Sequence, residues 1–287
     1  MKNEILIIGG TGNIGIPLVD LLQDSDQTYR VMVRSDKNET SMASKGVPTV
    51  RAELGDWSSV EAALENIDTI FLVSSPSPEM PQLHKGLIDL ALSANVRKVV
   101  RISAEPARYS KGLPMYEQHS QVDRYLIASG LDYVILRPHY FMQNIPQMHG
   151  AFMKEKQMFA QYLGDTRIPM IDARDIAKVA IVALTGDALN GKTHYITGPR
   201  AIGFDDVAKA YSKPFGKDIR YVNLSYEDQK SGLKAYGTPD MIVETVMKLF
   251  KRWADGDDQP ATPDFEEITG AKATDIDSFA AENARHM

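Results

Sequence analysis

Short apolar runs recur through the first half of the chain, at residues 5–8, 30–33, 69–74, 98–103 and 133–137, with a weaker one at 49–53. They do not alternate apolar with polar, and turn-forming residues bound them. Runs of this length suit strands covered on both faces, as in a parallel sheet. Between them the period changes. Leu18, Leu21 and Leu22 follow a glycine cluster, with Pro17 tolerable in a first helical turn. Leu83, Leu87, Leu90, Ala91 and Ala94, and later Met115, His119, Val122 and Leu126, recur at the spacing of a helical face. This alternation predicts βαβ units. The expected fold class is α/β, a Rossmann-type doubly wound parallel sheet, with an NAD(P)-binding domain over residues 1–140.

Beyond Pro138 the rhythm is lost. Met142, Met148, Met153, Met158 and Met170 share a stretch with Tyr140, Phe141, Phe152, Phe159 and Tyr162 and show little periodicity. Thioethers there would suit an adaptable pocket wall or plain core packing. A helical pattern returns at 175–184, a strand-like run at 193–197, and a helix at 239–254 carrying Ile242, Val246, Leu249, Phe250 and Trp253. Residues 141–287 read as a smaller substrate-binding lobe, interleaved with the sheet edge around 165–200. A crevice between two lobes is where a substrate is expected.

Composition narrows the function more than the fold. The chain has 287 residues, room for about two domains. Its 32 basic and 38 acidic residues leave a net charge of −6, which argues against direct nucleic-acid binding and against anionic membrane surfaces. Cysteine is absent, so a disulfide scaffold and a thiol relay are excluded. No apolar run nears the roughly 20 residues of a membrane span, and the N-terminus runs straight into a strand. The chain therefore reads as cytoplasmic, with a small molecule as partner and a monomer or homodimer as its state. The six histidines show no metal-ligand spacing, so no metal site is expected.

The glycine cluster carries the first chemistry. Gly9-Gly10-Thr11-Gly12-Asn13-Ile14-Gly15 follows the first strand and opens a helix. Glycines there allow a tight turn, close approach of a pyrophosphate, and close helix–strand packing. The anion would rest on backbone N–H groups at the helix N-terminus, supplied by Gly9, Thr11, Gly12, Asn13 and Ile14. About 20 positions past the glycines an NAD site usually shows an acid. This chain has Arg34, with Lys37 close behind. A guanidinium can grip a 2′-phosphate through two parallel hydrogen bonds, so NADP(H) is preferred and NAD(H) possible. Asp56, after the third strand, suits a turn beside the adenine or an ordinary turn. Ser74 and Ser103 end the fourth and fifth runs, where ligands of such sheets gather. Ser103 is equally readable as a helix-capping serine.

These segments recur together in one family. The glycine turn, Val33-Arg34-Ser35, Gly55-Asp56, Leu136-Arg137-Pro138 with Phe141-Met142-Gln143-Asn144, and Ile171-Asp172-Ala173-Arg174-Asp175 resemble the NmrA-like atypical short-chain dehydrogenase/reductases. The likeness is strongest to the triphenylmethane-reductase and NADPH:quinone-reductase branch. It implies backbone at Pro138 beside the nicotinamide and a substrate wall of His139, Tyr140, Phe141 and Asn144. It also exposes a departure. The Tyr-x-x-x-Lys pair of typical short-chain dehydrogenases would fall on Met115 and His119, counted back from Asp123. Tyr116 is adjacent but about 100° off that helical face. Losing a matched general acid costs roughly 10²–10⁴ in rate, which a simple ketone would feel fully and an electron-poor conjugated acceptor less. Tyr116 and His119 are the candidate catalytic side chains. His119 reads as a core histidine or as a replacement for the lysine that touches cofactor. Two functions stand: hydride transfer from NADPH to a quinone, dye or activated carbonyl, or a non-enzymatic NADP(H) redox sensor that binds a partner protein.

Overall fold

A computed structural model describes residues 4–257 and 259–286. The first strand, β1 (Glu4–Ile8), is followed by α1 (Gly15–Gln23), β2 (Thr28–Val33), α2 (Asp36–Ala43), β3 (Thr49–Arg51), α3 (Trp57–Ala63) and β4 (Ile67–Leu72). Next come α4 (Met80–Ser93), β5 (Lys98–Ile102), a 3₁₀ turn, α5 (Pro114–Ala128) and β6 (Asp132–Pro138). Then α6 (Asn144–Lys156), β7 (Met158–Gln161), α7 (Ala173–Thr185) and β8 (Lys192–Ile196) precede α8 (Phe204–Phe215) and β9 (Arg220–Asn223). The chain closes with α9 (Tyr226–Ala235), α10 (Asp240–Ala254), α11 (Asp264–Thr269) and α12 (Ile276–Asn283).

Seven strands form one sheet in the order β3-β2-β1-β4-β5-β6-β8. Its pairings from β3 to β6 are parallel. The bonds Gly191 N–H to Tyr133 O and His139 N–H to Ile196 O run in the same sense, so β8 continues that direction. The expected doubly wound parallel sheet is what the chain forms. The order reverses between β1 and β4, the place where ligands of open α/β sheets bind at the strand C-termini. Ile5, Leu6, Ile7 and Ile8 are all buried, because helices cover both faces, and this is why the run is continuous instead of alternating. One core face gathers Leu6, Ile8, Ile70, Leu72, Val99 and Ile135 under Val60, Leu87, Ile88, Val122 and Leu126 of α3, α4 and α5.

The chain divides into two compact units. The first holds the described residues up to Tyr109, Glu117–Arg137 and Ile176–Tyr195; the second holds Ser110–Tyr116, Pro138–Asp175 and the chain from Ile196 on. The second unit contains a two-stranded parallel sheet, β7 with β9. The stretch without periodicity is α6 plus β7. Its pattern is scrambled because α6 buries Ile145 and Met153 yet leaves Met148 and Phe152 exposed on its other face. No helix among the described residues is long and apolar enough to cross a membrane.

Candidate cofactor and catalytic site

Four glycines make the turn after β1, and three of them are required by the fold itself. Gly9 has φ +85°, and a Cβ there would lie 2.4 Å from Val73 O. A Cβ on Gly10 would meet Val31 Cγ1 at 2.5 Å, and one on Gly15 would meet Gly9 O at 2.1 Å. Gly12 is different. Its φ is not positive, and the nearest atom to an added Cβ is Gly9 O at 3.4 Å. With Thr11 and Asn13 it is exposed, so the fold alone does not need a glycine there, whereas a group lying against the backbone does. No side chain caps Ile14 at the start of α1, and no acid sits in its first turn. By contrast Ser35 caps α2 and Asp56 caps α3. The Gly12 N–H already goes to Gly9 O and the Ile16 N–H to Gly12 O, so what this uncapped N-terminus offers an anion is its positive dipole end and the N–H groups outside those two bonds. The cradle therefore fits a dinucleotide pyrophosphate. Ile14 is buried, so its contribution is its backbone.

Arg34 emerges at the end of β2 with its side chain 71% exposed, its nearest ion partner being Glu53 at 3.9 Å. Lys37 is exposed in the first turn of α2. Asp36, which would repel a phosphate, is bound by Arg51 Nη1 at 2.6 Å, with Glu39 at 3.4 Å from the same nitrogen. That pairing follows from register, since Arg51 lies opposite Val33 on the neighbouring strand. Asp56 is occupied as a helix cap. Its carboxylate accepts from Ser58 Oγ at 2.8 Å and Ser59 N–H at 3.4 Å, and these bonds hold it below the usual carboxylate range.

The most elaborate cluster forms at the C-terminal ends of β4, β5 and β6. Side chains two apart on a strand share a face. Core positions Leu72, Val99 and Ile135 are thus followed, on the α4–α5 face, by Ser74, Arg101 and Arg137. Leu72 pairs in register with Arg101, and Arg101 with Ile135. Asp123 of α5 receives them. Arg101 Nη1 bonds Oδ1, while Arg137 donates to Oδ2 through Nε at 3.1 Å and Nη2 at 2.8 Å. Ser103 Oγ adds a bond of 2.8 Å to the same oxygen. Arg101 and Asp123 are almost completely buried, at 0% and 1% side-chain exposure. A second Arg101 nitrogen, Nη2, lies 3.2 Å from His119 Nδ1. Ser74 Oγ is 2.8 Å from Nε2 of the buried His84.

Charge in this cluster is unusual. Burial, then Arg101, pushes the His84 imidazole down to about 3. Burial pushes His119 well below its ordinary value, with Arg101, His84 and Arg137 adding to the effect. Both rings are therefore neutral near pH 7. Arg101 and His84 escaped sequence reasoning. The signal was there in Arg101, a charged residue between the apolar Val99-Val100 and Ile102 of β5, because buried charge must be paired.

The acceptor-side residues suggested by sequence belong to the second unit. Pro138 is buried at the end of β6. His139 is 4% exposed and stacks on Trp253 with ring centres 5.2 Å apart. Its Nδ1 accepts the Tyr140 N–H at 2.8 Å and its Nε2 lies 3.4 Å from Gln259 Oε1. Tyr140 packs near Phe204 and Phe250, and its buried hydroxyl, whose ionisation burial pushes up, lies beside the Asn144 side chain. Phe141 bridges to Ile171, and Asn144 opens α6. Tyr116 lies in the first turn of α5. Asp172 caps α7, its Oδ1 accepting the Arg174 N–H at 2.9 Å, and Asp175 in the first turn accepts the Thr274 N–H.

The family profile described as NmrA-like family matches residues 1–285. An NAD(P)H azoreductase of Xenophilus azovorans is 31% identical over 98% of both chains. Among solved structures, the NADPH-dependent quinone oxidoreductase of Escherichia coli complexed with NADPH superposes with a TM-score of 0.85 at 24% identity, covering 98% of this chain and 99% of that one. The triphenylmethane reductase of Citrobacter sp. complexed with NADP(H) also gives 0.85, at 18% identity and the same coverage. Profile and relative agree, and the chain belongs to the NmrA-like family.

Proposed function

We propose that this protein is an NAD(P)H-dependent oxidoreductase that reduces electron-poor conjugated acceptors such as quinones and azo or triphenylmethane dyes. The observation that carries the reading is Gly12, a glycine the fold does not need, exposed before an uncapped helix. When bound, the nicotinamide cofactor supplies a hydride, two electrons and one nucleus, to the acceptor. The chain's residues do the rest. Backbone from Gly9 to Ile14 seats the pyrophosphate, and Arg34 with Lys37 attracts the 2′-phosphate while Arg51 neutralises Asp36. Ser74, Ser103 and Pro138 stand at strand ends as cofactor contacts. His139, Tyr140, Phe141 and Asn144 belong to the acceptor side, where the neighbouring Tyr140 hydroxyl and Asn144 amide are the polar groups an acceptor atom would meet.

The strand-end cluster supports the choice of acceptor. With His84 and His119 neutral, neither is a strong acid at neutral pH. An acceptor whose reduced form is a stabilised anion or a neutral product does not demand one. The sensor alternative is not favoured, because the azoreductase that is 31% identical over 98% of both chains is named for a reduction. Acceptor-dependent oxidation of NADPH tests the reading. Turnover is expected with a quinone or an azo dye and faster with NADPH than with NADH. Cofactor binding without consumption, across quinones and both dye classes, would sink it.

A further inference from the structure

His84 stands where α4 would ordinarily place an apolar side chain. Met80, His84, Leu87, Ile88 and Ala91 belong to the buried stripe of that helix, and an apolar group facing another apolar group there would cost the fold little. The histidine instead makes one hydrogen bond, Nε2 with Ser74 Oγ at 2.8 Å, and leaves Nδ1 buried with no partner among the described residues. Ser74 Oγ, on a half-buried residue, makes no other hydrogen bond among the described residues. Its place in the fold is specific. Ser74 leaves β4 at the switch point of the sheet, where the preceding Val73 donates its N–H to Ile8 O at 3.3 Å. The carbonyl oxygen of Val73 is the atom that leaves no room for a Cβ on Gly9. Ser74 therefore stands beside the glycine turn.

Two placements of hydrogen satisfy the 2.8 Å contact, and they differ in cost. If Ser74 donated to Nε2, the single hydrogen of the neutral ring would reside on Nδ1, a buried N–H without an acceptor. Burial and then the Arg101 guanidinium already disfavour positive charge on this ring, and the same cation opposes a hydrogen pointing out of it. If Nε2–H donates to Ser74 Oγ, Nδ1 keeps a lone pair, which a nearby cation favours. The second placement is the cheaper one, and it constrains the serine. A hydroxyl oxygen that receives an N–H turns its own hydrogen elsewhere. We propose that His84 is a positioning residue whose Nε2–H bond to Ser74 Oγ turns the serine hydrogen away from the ring and toward an oxygen of the bound dinucleotide, which rests on reading the strand ends as the cofactor site. Without the histidine, the hydroxyl rotates between donating and accepting, and binding must first order it. His84 directs Ser74 and moves no proton itself.

Long-range ¹H–¹⁵N correlation spectra of the ¹⁵N-labelled full chain at neutral pH test the placement, with His84→Gln assigning the ring. Hydrogen on Nε2 and a bare Nδ1 are expected, with and without NADPH. Hydrogen on Nδ1 in the unaltered protein overturns the proposal, whether or not any variant folds. Fluorescence titration with NADPH supplies the second readout. Ser74→Ala should weaken binding about three- to tenfold, and His84→Leu about two- to fivefold because the hydroxyl is then undirected. Once Ser74 is alanine, adding His84→Leu should weaken binding no further. Equal losses from His84→Leu in the two backgrounds would make the histidine merely structural, and unchanged affinity in Ser74→Ala would likewise overturn the proposal. If the unaltered protein binds no NADPH, the cofactor reading fails, while the tautomer spectrum separately decides whether His84 directs Ser74.

Discussion

Arg137 on β6 holds Asp123 on α5 through two nitrogens, at 2.8 and 3.1 Å from one carboxylate oxygen. The pair joins the strand that ends at Pro138 to the helix that carries His119. Asp123 serves two buried or part-buried guanidiniums at once. Asp123→Ala should therefore cost about 3–5 kcal/mol of stability, because it strands both cations. Arg137→Met should cost less, since Arg101 and Ser103 still satisfy the carboxylate. Urea unfolding of the three proteins checks the order, and a milder loss from Asp123→Ala than from Arg137→Met would contradict it.

The glycine turn separates folding from binding. Gly12→Ala places a Cβ no nearer than 3.4 Å to the protein and should leave stability within about 1 kcal/mol, while NADPH affinity falls steeply because the pyrophosphate loses its approach. Gly15→Ala puts a Cβ 2.1 Å from Gly9 O and should impair folding itself. Thermal unfolding alongside fluorescence titration with NADPH distinguishes the two. Wild-type affinity in Gly12→Ala would remove the turn from the cofactor site.

Cofactor preference should follow the balance of charge at the β2 and β3 ends. Losing a charge-assisted bond of about 1.5–3 kcal/mol, Arg34→Ala should weaken NADPH binding roughly 10- to 100-fold and leave NADH nearly unchanged. Arg51→Ala should weaken NADPH through a different route, by releasing Asp36 from its 2.6 Å pair. Asp36→Asn in that background should restore affinity. Dissociation constants for both cofactors in the four proteins decide this, and equal losses for NADPH and NADH would contradict it.

The sheet and the glycine turn were legible because their signals are local: continuous apolar runs such as Ile5 to Ile8, and glycines within a few positions of one another. The strand-end cluster was not. Arg101 meets an acid 22 positions away, and Ser74 meets His84 only because α4 folds back over β4. Arg51 finds Asp36 through the register of two strands, which no linear spacing announces. The segment 144–161 hid its helix and strand because Met148 and Phe152 are apolar yet exposed, 45% and 60%. Periodicity reveals a helix only when burial follows it.

Acid should destabilise the fold earlier than carboxylates alone would. His84 is pushed down to about 3 by burial and Arg101, and His149 to about 4 by burial. His119 is lowered in the same sense. Folded values below the ordinary 6.5 mean that the unfolded chain binds more protons in the interval between them. This stability is fully present above pH 6.5 and is lost as pH falls toward the folded values, by up to about 1.4 kcal/mol per pH unit for each ring. Urea unfolding at a series of pH values from neutral downward should show the slope beginning near 6.5, and His84→Gln should make it shallower by about one proton. A stability profile that stays flat to the carboxylate range would refute the buried neutral rings.

The most direct test of the central claim is a single turnover. The protein is loaded with one equivalent of NADPH, then mixed anaerobically with a quinone in one syringe and with buffer in the other. The account predicts loss of the bound nicotinamide absorbance on mixing with quinone, matched by hydroquinone formed, and no loss with buffer. Bound NADPH that persists unchanged in the presence of the quinone, and likewise with an azo dye, would contradict it.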